Sequence, residues 1–236
     1  MRGGYVRELV NNIKPHIIYH LAANAGEGAS MYQPQSSTDR NYLSFINLLT
    51  PAIVAGIKKI ILFSSMAVYG KGLNNPPFTE DMVRAPEDIY AVNKQAMELS
   101  LQIEAETFGF NYTIIRPHNV FGPGQNLADR LRNVIAIFIN KVMRGEPIEI
   151  YGDGEQQRAF SYIDDSLPCY LKAIDPCADG HIINIGGMKA ITINRAAELV
   201  LFYSGRDKDK YPIDHHPERQ REVKNAWCSW QKSIDL

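Results

Sequence analysis

Three residues of this chain are spaced for proton transfer: Ser65 at the end of an apolar run, Tyr90 twenty-five positions later, and Lys94. They stand in the stretches Ser64-Ser65-Met66-Ala67-Val68-Tyr69-Gly70 and Tyr90-Ala91-Val92-Asn93-Lys94. Residues four apart leave one face of a helix, so the Lys94 ammonium can lie close to the Tyr90 phenol. A free phenol, with a pKa of about 10, is a poor base at neutral pH, but a neighbouring cation favours its phenolate. Ser65 would supply the hydrogen bond that fixes the reacting oxygen.

The elements that must carry these residues follow from the hydrophobic pattern. Short β-branched runs alternate with helical patterns, the signature of an α/β sheet with crossover helices. Strands are expected at 17–20, 59–64 and 112–116. Residues 24–38 read as a polar loop, Asp39 as the cap of a helix ending at Gly56, and residues 88–108 as a long helix closed by Gly109. Beyond Pro117 the pattern loosens: a helix near 129–144, a strand at 148–151, the loop Gly152-Asp153-Gly154, and a segment at 158–162. A helix near 164–175, a strand near 182–185 and a helix at 192–203 follow. Residues 1–116 are thus expected to form the sheet domain. Residues 117–236 mostly form a smaller lobe over its edge, with about 158–175 returning to the sheet.

Bulk numbers exclude several classes. The 236 residues, 45% hydrophobic and 10% aromatic, suit one large domain or two small ones. Twenty-five Lys plus Arg balance 26 Asp plus Glu, so no basic excess points to nucleic acid or an anionic membrane. No apolar stretch approaches the roughly 20 residues of a membrane span, and no signal pattern opens the chain; it reads as cytoplasmic. Cys169, Cys177 and Cys228 lack metal-ligand spacing and read as reduced thiols. The six histidines carry no metal pattern either, and His215-His216 reads as a solvated pair in a polar loop. No metal site is expected.

The chain resembles the extended short-chain dehydrogenase/reductases, in their NAD-dependent nucleotide-sugar epimerase and dehydratase branch, and most of all the UDP-glucose 4-epimerase-like members. The resemblance runs through nearly the whole chain. It rests on His20-Leu21-Ala22-Ala23, Asn41, Ser65 to Gly70, Tyr90 with Lys94, Arg116-Pro117-His118-Asn119-Val120-Phe121-Gly122, Tyr151-Gly152-Asp153-Gly154, and Arg158-Ala159-Phe160-Ser161-Tyr162-Ile163-Asp164-Asp165. Each element alone is weak, but seven in the right order are specific.

The resemblance implies a Rossmann-like doubly wound parallel sheet with a smaller α+β substrate lobe, NAD as cofactor and a nucleotide sugar as substrate. It implies an isomerase acting at C4 through a 4-keto intermediate, with Tyr90 as base, Ser65 holding the reacting oxygen, and Lys94 binding the nicotinamide ribose. His20, Ala22, Ala23, Asn41, Ser64, Pro117 and His118 would line the dinucleotide, together with Tyr90 and Lys94. Asn119, Asn133, Tyr151, Arg158 and Arg219 would bind the nucleoside diphosphate and sugar; a guanidinium fork matches phosphate oxygens. A homodimer through the helices at about 39–56 and 88–108 is implied as well.

Two departures from the family pattern bear on activity. Related 4,6-dehydratases carry Asp-Glu directly after the hydroxyl residue, and related decarboxylases keep a Glu at the second of those positions. Here they are Met66 and Ala67, which cannot shuttle a proton. Epimerisation or keto reduction is left by elimination. The second departure is the Gly-rich strand-turn-helix that holds the pyrophosphate. Arg2-Gly3-Gly4-Tyr5 follows no strand, and Gly26-Glu27-Gly28 lies in the wrong place. Two βα units are therefore expected upstream of Met1, and the chain reads as a fragment at both ends. The alternatives left are another nucleotide-sugar reductase or dehydratase of the family, or a non-catalytic fragment unable to hold NAD.

Overall fold

The computed structural model describes residues 3–70, 75–129, 133–218 and 224–236. Helix α1 (Gly3–Ile13) leads into strand β1 (Ile17–His20). Short helices α2 (Glu27–Tyr32) and α3 (Pro34–Thr38) follow, and α3 runs through a π-helical turn, Asp39–Leu43, into α4 (Ser44–Val54). Next come β2 (Lys59–Phe63), a 3₁₀ turn at Met66–Tyr69, α5 (Ile89–Phe108), β3 (Asn111–Pro117) and β4 (Val120–Phe121). The rest comprises α6 (Val134–Arg144), β5 (Ile148–Tyr151), β6 (Gln157–Ala159), β7 (Ser161–Tyr162), α7 (Ile163–Lys172), β8 (His181–Ile185), β9 (Ala190–Thr192), α8 (Ile193–Tyr203), β10 (Ile213–His216), β11 (Asn225–Ala226) and α9 (Gln231–Asp235).

The main sheet is parallel throughout, in the order β1-β2-β3-β8. Its inner strands β2 and β3 read as apolar runs because both of their faces are covered, while edge strand β1 leaves Ile17 and Tyr19 exposed. Ile60, Leu62 and Ile114 pack under α1, α4 and α5 with Phe45, Leu49, Met97 and Leu101. Ile61, Ile115 and Ile183 face the other way, onto Tyr170 and Ala173 around α7. Residues 181–185 thus rejoin the sheet beside β3. A second core joins α6, β5 and α8 through Phe138, Ile148, Ile150, Ala197 and Leu201. There β5 pairs with β10, and β6 lies between β9 and β11. Among the described residues no helix is long and apolar enough to cross a membrane.

Four local expectations are corrected. Residues 27–38 are helical rather than loop: Pro34 sits at a helix start, where its missing N–H costs nothing, and Ser30 and Ser37 are buried towards α5. Asp39 is consequently interior (φ −59°, ψ −44°) and caps no helix. The helix expected from 129 begins at Val134, with Asn133 as its cap. His215 and His216 lie on β10, in register with Ile150 and Tyr151, because pairing with β5 outweighs their polarity. Gly3 and Gly4 open α1, and a Cβ added at Gly4 would meet nothing within 4 Å, so no close backbone approach requires that glycine.

Candidate active site

In parallel α/β sheets the strand carboxyl ends open onto the ligand crevice. That edge carries His20 on β1, Ser64 and Ser65 after β2, and Pro117 and His118 at the end of β3. Ser65 is extended (φ −157°, ψ 151°) and caps the 3₁₀ turn, its Oγ accepting from Ala67 N at 3.1 Å. Its hydroxyl proton remains available for donation. Tyr90 enters from the first turn of α5, whose start is capped by Asp88. Its backbone N–H donates to Ser30 Oγ at 3.1 Å, tying α2 to that helix start.

Lys94, one turn on, is 2% exposed and places its Nζ 5.7 Å from the Tyr90 ring centroid. It donates to the Phe63 carbonyl at 2.6 Å. Burial pushes its pKa down to about 8, against the favourable charge of Glu98. The phenol-ammonium adjacency expected from the i, i+4 spacing is therefore present. The ammonium remains a cation below about pH 8.

The residues expected around the dinucleotide divide into exposed and supporting groups. Ala22 is exposed and Ala23 half-buried on the loop after β1. Asn41, fully buried in the π-helical turn, holds that loop: Asn24 N donates to its Oδ1 at 2.7 Å, and its Nδ2 donates to Asn24 O at 3.3 Å. Ser64 is 4% exposed and turns its hydroxyl inward onto Glu98 at 2.5 Å. His20 packs against Phe45, ring centroids 5.0 Å apart, and burial lowers its pKa to about 4, helped by the Lys94 charge. His118 is fully buried, and burial drives it to about 3; the Arg158 charge adds to this, while the Ala226 backbone opposes it. Both imidazoles are neutral at physiological pH. Among the described residues no hydrogen bond of normal geometry reaches His20 Nε2 or either His118 nitrogen.

The residues expected on the sugar-nucleotide side are pinned within the second lobe. Asn119 adopts a positive φ of 40° and donates its Nδ2 to Ala159 O at 2.9 Å. Asn133 caps α6 through Ile135 N at 3.0 Å and donates to Val120 O at 3.3 Å. Tyr151 lines a cavity of about 200 Å³ with Gln156, Glu218 and Lys224, and its ring lies 5.3 Å from that of His216. Arg158 donates to the carbonyls of Gln157 and Lys224, at 2.8 and 3.2 Å. Arg219 lies outside the described residues.

Sequence reasoning missed a buried ionic group directly beneath this edge. Glu98 and Arg116 are both fully buried and paired in two parallel bonds, Nε to Oε1 at 2.9 Å and Nη2 to Oε2 at 2.7 Å. Burial alone would lower the Arg116 pKa, but the bonds and charge of Glu98 outweigh it and hold the guanidinium charged. The available signal was Glu98 at four residues after Lys94, in a helix whose buried face is otherwise mostly apolar.

Residues 2–186 match the NAD dependent epimerase/dehydratase family, and the chain belongs to that family. It is 33% identical over 221 residues to a UDP-glucuronate 4-epimerase of Thermodesulfobacterium geofontis, covering 93% of this chain and 65% of that protein. It is 34% identical over 199 residues to a UDP-N-acetyl-alpha-D-glucosaminuronate decarboxylase of Bacillus cytotoxicus, covering 82% and 60% respectively. The chain therefore spans less than two thirds of the length of these two relatives. A crystal structure of UDP-glucose 4-epimerase with UDP-glucose from Thermotoga maritima superposes with a TM-score of 0.93 at 29% identity, over 99% of this chain and 74% of that one. The Rossmann-like α/β fold expected from the sequence is the fold observed.

The edge offers hydrogen-bond donors of the kind that a dinucleotide's hydroxyl groups accept. Lys94 can donate three hydrogen bonds, and the Phe63 carbonyl accepts the one that is made among the described residues. Its remaining donors suit hydroxyl groups brought to this edge.

Proposed function

We propose that this protein belongs to an NAD-dependent nucleotide-sugar 4-epimerase of the UDP-glucose/UDP-galactose type, an isomerase working through a 4-keto sugar. The observation that carries the reading is the buried Tyr90–Lys94 pair beside the Ser65 turn, with Met66 and Ala67 where a dehydratase needs acids. As phenolate, Tyr90 takes the proton of the sugar 4-hydroxyl and later returns it to the same oxygen. The nearby Lys94 cation favours that phenolate. Ser65 donates a hydrogen bond to the reacting oxygen, and Lys94 holds ribose hydroxyls. Bound at this edge, the nicotinamide supplies the hydride acceptor and donor.

Asn119, Tyr151, Arg158 and Arg219 are proposed as the nucleotide-sugar side, with Asn133 supporting them as the cap of α6. Residues 1–116 are proposed as the cofactor domain and most of 117–236 as the substrate lobe. A homodimer through α5 is proposed from Val92, Leu99 and Ile103, which are 45%, 42% and 62% exposed and lie along one helical stripe. Sedimentation of a monomer at micromolar concentration would remove that part.

The test is calorimetric titration with NAD, followed by incubation with UDP-glucose, UDP-N-acetylglucosamine, UDP-glucuronate and dTDP-glucose and identification of each product. A C4 epimer is expected, and Tyr90→Phe should lower its rate at least about a hundredfold. A 4-keto-6-deoxy product, release of carbon dioxide, or no NAD binding would overturn the reading.

A further inference from the structure

Glu98 does more at this edge than a buried ion pair requires. Its Oε1 accepts from Arg116 Nε and from Ser64 Oγ, and its Oε2 accepts from Arg116 Nη2 and from Arg84 Nη1 at 3.1 Å. Four donors occupy the roughly four lone-pair directions of a carboxylate. Arg116 continues the chain on its other side. Its Nη1 donates to Tyr69 Oη at 2.6 Å, its guanidinium lies 4.8 Å from the Tyr69 ring centroid, and Tyr69 Oη donates to Asn184 Oδ1 at 2.9 Å.

These bonds enclose the turn that bears Ser65. Ser64, just before the turn, is held by Glu98, and Tyr69, its last residue, is held by Arg116. The Phe63 carbonyl, one residue earlier, is held by Lys94. Two side chains one helical turn apart on α5 therefore grip two successive residues of the strand end, and the third residue is Ser65. Ala85 N donates to Val68 O at 3.0 Å, so the segment carrying Arg84 packs onto the same turn. A buried ion pair stabilises a fold little more than a well-packed apolar substitute. Net stability is thus a poor reason for this one to lie beneath the turn.

We propose that Glu98 is a positioning residue: with Arg116 it clamps both ends of the Ser65 turn, and it sets a negative charge one helical turn from the Lys94 ammonium. The inference takes its purpose from the proposed reaction, but its geometry stands without it. The groups facing Lys94 are His20 from β1, the Phe63 carbonyl from β2, and Tyr90 and Glu98 from α5, with Arg116 and Arg84 reaching it through Glu98. His20 is neutral above about pH 4, so Glu98 is the carboxylate whose charge supports the ammonium.

The test uses the full chain without ligand. Lysine ¹³Cε resonances are titrated by NMR, and Lys94 is assigned by its loss in Lys94→Met. Glu98→Gln should lower the Lys94 midpoint by about one unit. Arg84→Met, at a side chain 26% exposed, removes a cation beside Glu98 and should raise the midpoint by about half a unit, so the answer survives if Glu98→Gln does not fold. Ser64→Ala should speed hydrogen exchange of the Ala67 amide, which Ser65 Oγ caps, at least about tenfold. An unmoved Lys94 midpoint in the folded variants, or unchanged Ala67 exchange, overturns the role of Glu98. Failure to bind NAD with both responses present overturns the proposed function instead.

Discussion

The Ser65 edge and the Tyr151–Arg158 region hold their functional candidates by different means. At the edge, side chains hold side chains: Glu98, Arg116, Tyr69 and Asn184 are all fully buried, and each bond needs its own residue type. In the lobe, short strands hold the backbone. Tyr151 and Arg158 lie on β5 and β6, paired to β10 and β11, while Arg158 itself donates to two carbonyls. Backbone pairing tolerates change in the side chain, so the lobe can alter what it presents while its frame persists. The edge cannot change one member without stranding another.

The sharpest way to break this contrast is Glu98→Ala against Arg158→Ala. Removing Glu98 leaves Arg116 buried without its counter-charge and should cost about 3–5 kcal/mol in urea unfolding. Arg158→Ala should cost under about 1 kcal/mol. Equal losses would erase the distinction.

The buried histidines give the next largest effect, with its sign set by linkage. His118 and His20 have pKa values near 3 and 4 in the fold, below the unfolded value of about 6.5. The unfolded chain binds these protons first as pH falls. Stability is therefore complete above about pH 6.5 and drops by roughly 3 kcal/mol per histidine by about pH 4. His118→Gln should flatten that fall by its own share, measured as unfolding free energy against pH; an unchanged slope would refute it.

Lys94 follows the same sign in a higher pH window. Its value near 8 lies below the ordinary 10.5, so the unfolded chain takes the proton more readily between those values, and the cost is fully present at pH 7. Lys94→Met should stabilise the fold by roughly 1–2 kcal/mol at pH 7. A lower melting temperature would show that the Phe63 bond outweighs the burial of charge. Smallest is Asn133→Ala, expected to cost about 1 kcal/mol through loss of the α6 cap, with Asn133→Asp recovering most of it in thermal melts.

Much of the edge was legible because its signals are local. Tyr90 and Lys94 at i, i+4, the apolar run ending at Ser65, and Gly109 (φ 71°) closing α5 each depend on neighbours a few residues away. The helices at 27–38 were not legible, since their polar residues are buried only by packing against α5. His215 and His216 were misread for the same reason: β5, more than sixty residues earlier, makes them a strand. Ser64 looked like a group for the dinucleotide, yet its hydroxyl points to Glu98, a partner thirty-four residues away.

The sequence by itself determined the α/β class, the parallel strands and the phenol-ammonium pair, because periodicity and i, i+4 spacing are properties of one segment at a time. Tertiary structure alone decided what surrounds them. Burial sets the charge of Lys94, His20 and His118, and long-range contacts alone bring Glu98, Arg116 and Tyr69 together beneath Ser65. Desolvation and hydrogen-bond geometry depend on every element packed around a group, and no single stretch of sequence carries that information.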